Sequence, residues 1–244
     1  MKAFMIVRDR LSYAQHCLTA LRAAGLDVVL VDHGSTFPPM VDWLASLETY
    51  ADEVDQNAVP WTFWGENRHP RDLWRPGGPI AQLVSADERF IVTDCDVVPS
   101  EACPTDWVWR LGALLDQQPV AKKAGLGLRT DDLPDHFERA AMVRVWERLF
   151  QHRDDGGHLH AVVGLGAAVW ADIDTTLAMY RRYEPFALWP ALRMRAPYVA
   201  WHLQWYEDTA NPTVEQMYYR EHAAYGHWRA PEGYSDTHNL GGST

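Results

Sequence analysis

The chain is short of lysine, of paired cysteine and of long apolar runs, and each shortage excludes something. Lys2, Lys122 and Lys123 are its only lysines, so arginine carries nearly all of the positive charge, a skew that fits genomic base composition. Acidic residues outnumber basic ones, 33 against 22, for a formal net charge of −11. Such a chain gains little from counterion release along a nucleic-acid backbone, although a local basic stripe can still sit on an acidic protein. Cys17, Cys95 and Cys103 are odd in number and lack CxxC spacing, which tells against a disulfide framework and a structural zinc site. No apolar run approaches the ~18 residues of a membrane span. Met1 to Val7 run straight into Arg8-Asp9-Arg10, so the start reads as a buried strand rather than a signal peptide, and a reducing cytoplasm is the expected compartment. Residues 6–16 contain no glycine, which counts against a glycine-rich phosphate loop after that strand.

What is present describes a packed α/β protein. Of the 244 residues 47% are hydrophobic, enough for one good core. Strand-like runs at 3–7, 27–31 and 89–93 alternate with helical stretches at 12–24, from Pro38-Pro39 onward, and at 105–117. That β-α-β-α order predicts a mostly parallel, doubly wound sheet in three α/β/α layers. Ser12 is the expected cap of the first helix and Gly25 its end. A further strand is expected at 124–128 and a helix at 135–151, with Phe137, Met142, Val145, Trp146, Leu149 and Phe150 on its apolar side. Strand-like pieces follow at 161–170, 175–181 and 192–199, then a helix at 213–224. Residues 1–231 are expected to form one domain, and 232–244 a loosely held polar tail. Most of the twelve tryptophans are expected in the core.

Two constellations carry chemistry. Asp94-Cys95-Asp96 closes the apolar strand Phe90-Ile91-Val92, and open α/β sheets bind ligands at the carboxyl ends of their strands. Two carboxylates at i and i+2 there can face one hard cation, Mg²⁺ or Mn²⁺, which bridges diphosphate oxygens and stabilises charge on a leaving diphosphate. The second is Val31-Asp32-His33-Gly34-Ser35-Thr36, where Asp32 can accept hydrogen bonds from a base or ribose and Gly34 permits a tight turn.

With these motifs in order, the chain resembles GT-A-fold, Rossmann-like glycosyltransferases of the family 2 type, in which a VD-x-GST-like turn and a DxD close a nucleotide-sugar pocket. Asp131-Asp132-Leu133-Pro134-Asp135, Asp172-Ile173-Asp174-Thr175-Thr176 and His202-Leu203-Gln204-Trp205-Tyr206 look like a bacterial and phage branch of that clan. The resemblance runs to about Tyr219 and is more specific in the first half. It implies a metal-dependent transfer from a nucleotide-sugar donor, a UDP-sugar first, to an acceptor hydroxyl. Arg8, Asp9, Asp32, Asn67, Arg71 and Asp131 would then reach the donor. Asp96 would bind metal, Asp94 ribose or metal, and His202 would be a further metal ligand. The base would be Asp172, Asp174 or Asp132. Ala171 departs from the family pattern, where Glu is more usual.

A haloacid-dehalogenase-like phosphatase would want its nucleophile on the first strand, whereas this DxD comes late. A non-catalytic carbohydrate-binding protein would explain the tryptophans but not the acids. The acceptor is expected to be a glycan or other small molecule. DNA is the alternative, because phage members of the wider fold glycosylate hydroxymethylated bases, and Arg181, Arg182, Arg193 and Arg195 alternate with Tyr183, Trp189 and Tyr198.

Overall fold

The computed structural model of the chain describes residues 1–51, 61–63, 70–151, 161–162, 168–181 and 186–222. Strands β1 (Lys2–Val7), β2 (Asp27–Asp32), β3 (Trp61–Phe63) and β4 (Phe90–Asp94) pair in parallel in the order β3-β2-β1-β4. The sheet continues through β10 (Ala178–Tyr180), antiparallel to both its neighbours, to β6 (Lys123–Gly125) and β11 (Ala191–Met194). β9 (Ala168–Trp170) and β8 (Ala161–Val162) complete nine strands. A second sheet has the order β5-β12-β7, from Val97–Pro99, Val199–His202 and Gly127–Leu128.

The central strands are apolar throughout because both of their faces are covered, as parallel sheets require. Ala3, Met5 and Val7 of β1 face one core, and Phe4 and Ile6 face the other. The first core is closed by α1 (Leu11–Ala23), α2 (Pro38–Ala51), α4 (Trp107–Gln117) and α5 (Ala140–Gln151). In α1 the buried Ala14, Cys17, Leu18 and Leu21 make one helical stripe. The second core is closed by a 3-10 turn at Pro70–Trp74, α3 (Pro79–Leu83) and Phe186. This is the three-layer, mostly parallel α/β architecture expected.

Local expectations fail where distant residues decide. The stretch 124–128 divides between two sheets: β6 ends at Gly125, and the Gly127 amide donates to the Tyr198 carbonyl. A side chain at Gly127 would collide with the Met194 carbonyl, so the crossing needs glycine. Ser12 does not cap α1; its amide and hydroxyl both donate to Glu215 of α6 (Val214–His222). In α5, Ala140, Val143 and Glu147 face inward, while Met142, Val145 and Trp146 are 49%, 64% and 41% exposed. The reason is an ion pair: buried Glu147 accepts from buried Arg193 at 2.7 Å and turns the helix by its polar residue. Of the tryptophans whose burial is described, Trp74, Trp107 and Trp205 are buried and Trp43 and Trp170 pack partly buried against the core, fewer than expected. The tail expected from 232 lies outside the described residues. Among those described, no helix is long and apolar enough to cross a membrane.

Candidate functional site

Register brings the candidate residues to one edge. Val7 is paired with Asp32 and Ile6 with Asp94, so the loops after β1, β2 and β4 leave the sheet side by side. Between β1 and β4 the strand order reverses, the position at which open α/β sheets hold ligands.

The first two loops are laced together. Asp9 adopts a left-handed backbone (φ 51°), uncommon for a residue with a side chain. Its carboxylate accepts from the backbone amides of Thr36 and, at 2.7 Å, Phe37. Its own amide donates to the Ser35 hydroxyl, which donates to Asp32 at 2.6 Å. The buried Asp9 carboxylate thus shapes the loop, and Arg8 Nε lies 3.5 Å from its Oδ2. Burial raises the Asp32 carboxyl, and the Ser35 hydrogen bonds oppose that shift. Arg8 donates to the carbonyls of His33 and His222.

The acid pair is asymmetric. Asp94 accepts from the Thr175 hydroxyl at 2.7 Å, and burial, then the charge of Asp96, pushes it well above the usual carboxylate range. Burial also pushes Asp96 upward, but the His202 ring and the Arg10 guanidinium outweigh it and hold Asp96 below its ordinary value. Arg10 bonds Asp96 directly. The second sheet supplies His202: β12 pairs His202 with Val97 of β5, and the Leu203 amide donates to the Asp96 carbonyl at 2.7 Å. His202 Nδ1 is buried, has no hydrogen-bond partner among the described residues, and lies 3.8 Å from Asp96 Oδ2. Burial lowers the His202 pKa, and the charge of Asp96 opposes that shift.

Among the described residues no set of three or more His, Cys, Asp or Glu forms a ready metal cage. The donor chemistry nevertheless fits a hard divalent ion. An ionised carboxylate faces an imidazole nitrogen with no other partner, and such ions are commonly held by one or two carboxylates with water and substrate phosphates completing the shell.

The remaining candidates divide. Asp174 lies near enough to Asp94 to raise its carboxyl further, and it precedes Thr175. Asp172, two residues earlier, is exposed. Asp131 and Asp132 belong to a cluster with Arg129, where Asp132 also accepts from Trp201 Nε1 at 3.1 Å and from the Tyr206 hydroxyl. Arg71 lies with Cζ 5.0 Å from the Phe186 ring centroid, and Asn67 is outside the described residues. Sequence reasoning missed Arg10, Thr175 and the buried Lys123. The charge of Arg10 directly after a buried strand was the available signal; the other two show only in the fold.

No protein-family model and no curated protein matches the chain. Among solved structures it is similar to glucosyl-3-phosphoglycerate synthase from Mycobacterium tuberculosis in complex with Mn²⁺ and UDP-glucose, at 11% identity and TM-score 0.35, over 74% of this chain and 55% of that one. It therefore spans little more than half the length of that synthase. It is also similar to UDP-glucose pyrophosphorylase from Acinetobacter baumannii, at 10% identity and TM-score 0.45, over 92% of this chain and 95% of that one. Likenesses this distant say nothing of the site, and the ligands belong to those proteins.

Proposed function

We propose that the chain is a glycosyltransferase that moves a sugar from a nucleotide diphosphate donor, a UDP-sugar first, to an acceptor hydroxyl on a glycan or small molecule. The observation that carries this reading is the unpartnered, buried Nδ1 of His202 facing the ionised Asp96 at the strand-order reversal. Asp96 and His202 would hold Mn²⁺ or Mg²⁺, with Asp94 reaching ribose or metal. When bound, the ion would neutralise charge on the leaving diphosphate. Asp32 would accept hydrogen bonds from the nucleoside, and Arg8 would lie beside it. Of the three acids considered as base, Asp174 is favoured because it neighbours Asp94. In a direct displacement the acceptor oxygen would bond to the anomeric carbon. The bond to diphosphate breaks with its electron pair, and the acceptor proton passes to the base.

For DNA as acceptor, two of the four arginines of the expected basic surface are engaged within the fold. Arg193 is buried on Glu147, and Arg181 donates to the carbonyls of Leu115, Gln118 and Ala121. The test is a melting screen of nucleotides and nucleotide sugars, each with Mn²⁺ and with EDTA, since a ligand that binds only the folded state raises Tm. A Mn²⁺-dependent rise with one nucleotide sugar is expected. No rise with any of them would return the chain to the phosphatase or carbohydrate-binding readings.

A further inference from the structure

Arg10 plays no part in the reading above, yet it is the side chain that holds Asp96. The two side chains are each 7% exposed. The guanidinium also lies 3.7 Å from the ring centroid of Tyr219 in α6 and 5.5 Å from that of Tyr13 in α1. Helix α6 buries no residue of its own. It rests on the loops around the site by polar and ring contacts: Glu215 to Ser12, the Tyr218 hydroxyl to Thr36, the Tyr218 ring 5.1 Å from Phe37, and the His222 carbonyl to Arg8.

A buried carboxylate left without a counter-charge is strongly unfavourable. Among the described residues Arg10 is the guanidinium that bonds Asp96, and it keeps its positive charge at any working pH. Arg10 therefore occupies the same carboxylate oxygen, Oδ2, that lies 3.8 Å from His202 Nδ1. We propose that Arg10 is the built-in counter-cation of Asp96, steadied by Tyr219, and that a divalent ion takes Asp96 only when a diphosphate arrives to take over the guanidinium. The planar fork of arginine pairs with phosphate as well as with carboxylate, so the exchange leaves no charge unpaired. Metal and nucleotide then enter together, and by linkage each raises the affinity of the other by the same factor. This inference rests on the metal-dependent reading proposed above.

The test is Mn²⁺ titration of the full chain, with the free ion read by electron paramagnetic resonance, in the presence and absence of UDP. The wild-type chain should bind Mn²⁺ weakly alone and about tenfold or more tightly with UDP. Arg10→Met should bind Mn²⁺ about tenfold more tightly than wild type without UDP, and UDP should then add little. Tyr219→Ala keeps both charges of the ion pair and should shift Mn²⁺ affinity part of the way; it decides alone if Arg10→Met does not fold. Equal Mn²⁺ affinities for wild type and both variants without UDP, all weakened by Asp96→Asn, would overturn the role of Arg10 and leave the metal site standing. No Mn²⁺ binding to any of them, with or without UDP, would overturn the metal reading and this inference with it.

Discussion

Asp94 and Asp96 sit two residues apart in sequence, and their surroundings drive them in opposite directions. Asp94 meets a hydroxyl and a second carboxylate, whereas Asp96 meets a guanidinium. A site on a strand end suggests that Asp96 can be replaced without cost to the fold, but the ion pair corrects that. Asp96→Asn leaves Arg10 buried without a counter-charge, and should cost about 3–5 kcal/mol of unfolding free energy as well as metal-dependent nucleotide binding. The double variant Asp96→Leu with Arg10→Met should recover most of the stability and none of the binding; chemical denaturation beside a nucleotide titration separates the two. Lys123 is the other buried cation. It is 0% exposed, and its ammonium donates to the Asp174 carbonyl and the Tyr180 hydroxyl, both at 3.3 Å. Burial lowers its pKa from 10.5 to about 7, with Asp174 and Asp172 opposing the shift and Arg193 and Arg71 adding to it. The folded pKa lies below the unfolded one, so between these values the unfolded chain binds more protons, and stability gains from rising pH. Lys123→Met should remove that gain. Its stability advantage over wild type should be largest below pH 7 and shrink as pH rises from about 7 toward 10.5, measured by denaturation at a series of pH values.

At the scale of elements, long-range pairing decides what local pattern cannot. β1, β2 and β4 were legible in the sequence because strands covered on both faces become unbroken apolar runs, and with them the positions of Asp32, Asp94 and Asp96 at strand ends. β5 was not legible: three residues make a strand only because β12, a hundred positions later, pairs with them. The approach of His202 to Asp96 depends on that pairing and on no local signal. The inward face of α5 was misread because an ion pair to β11 outranks the apolar stripe. The start of α1 was misread for a similar reason, since its cap comes from α6. A carboxylate at a helix N-terminus satisfies free amides and meets the positive end of the helix dipole. Glu215→Ala should therefore cost about 1 kcal/mol, in the range of a lost N-cap. The same change should speed amide hydrogen exchange across 214–222, because α6 has no buried residue to hold it. Unchanged exchange in α6 would show that its other contacts suffice.

At the scale of the molecule, the distribution of charge bears on the acceptor. A net charge of −11 repels a polyanion unless basic residues gather on one surface. Two of the four arginines expected on such a surface are drawn inward: Arg193 closes α5 against the sheet through Glu147, and Arg181 ties the end of α4 to the loop before β6. These arginines act as structural cations, and their loss should be felt as stability. Arg193→Ala combined with Arg195→Ala should lower unfolding free energy by about 3–5 kcal/mol, the effect of breaking a buried pair, with no change in DNA affinity. Wild type should show no retardation of duplex or single-stranded DNA even at about 50 mM salt, where counterion release favours binding most. Salt-sensitive binding that the double variant abolishes while its melting stays native would reverse this assignment and restore DNA as the acceptor. No binding, together with a loss of stability, would direct the search for an acceptor to neutral hydroxyl compounds, because an acidic surface does not oppose their approach.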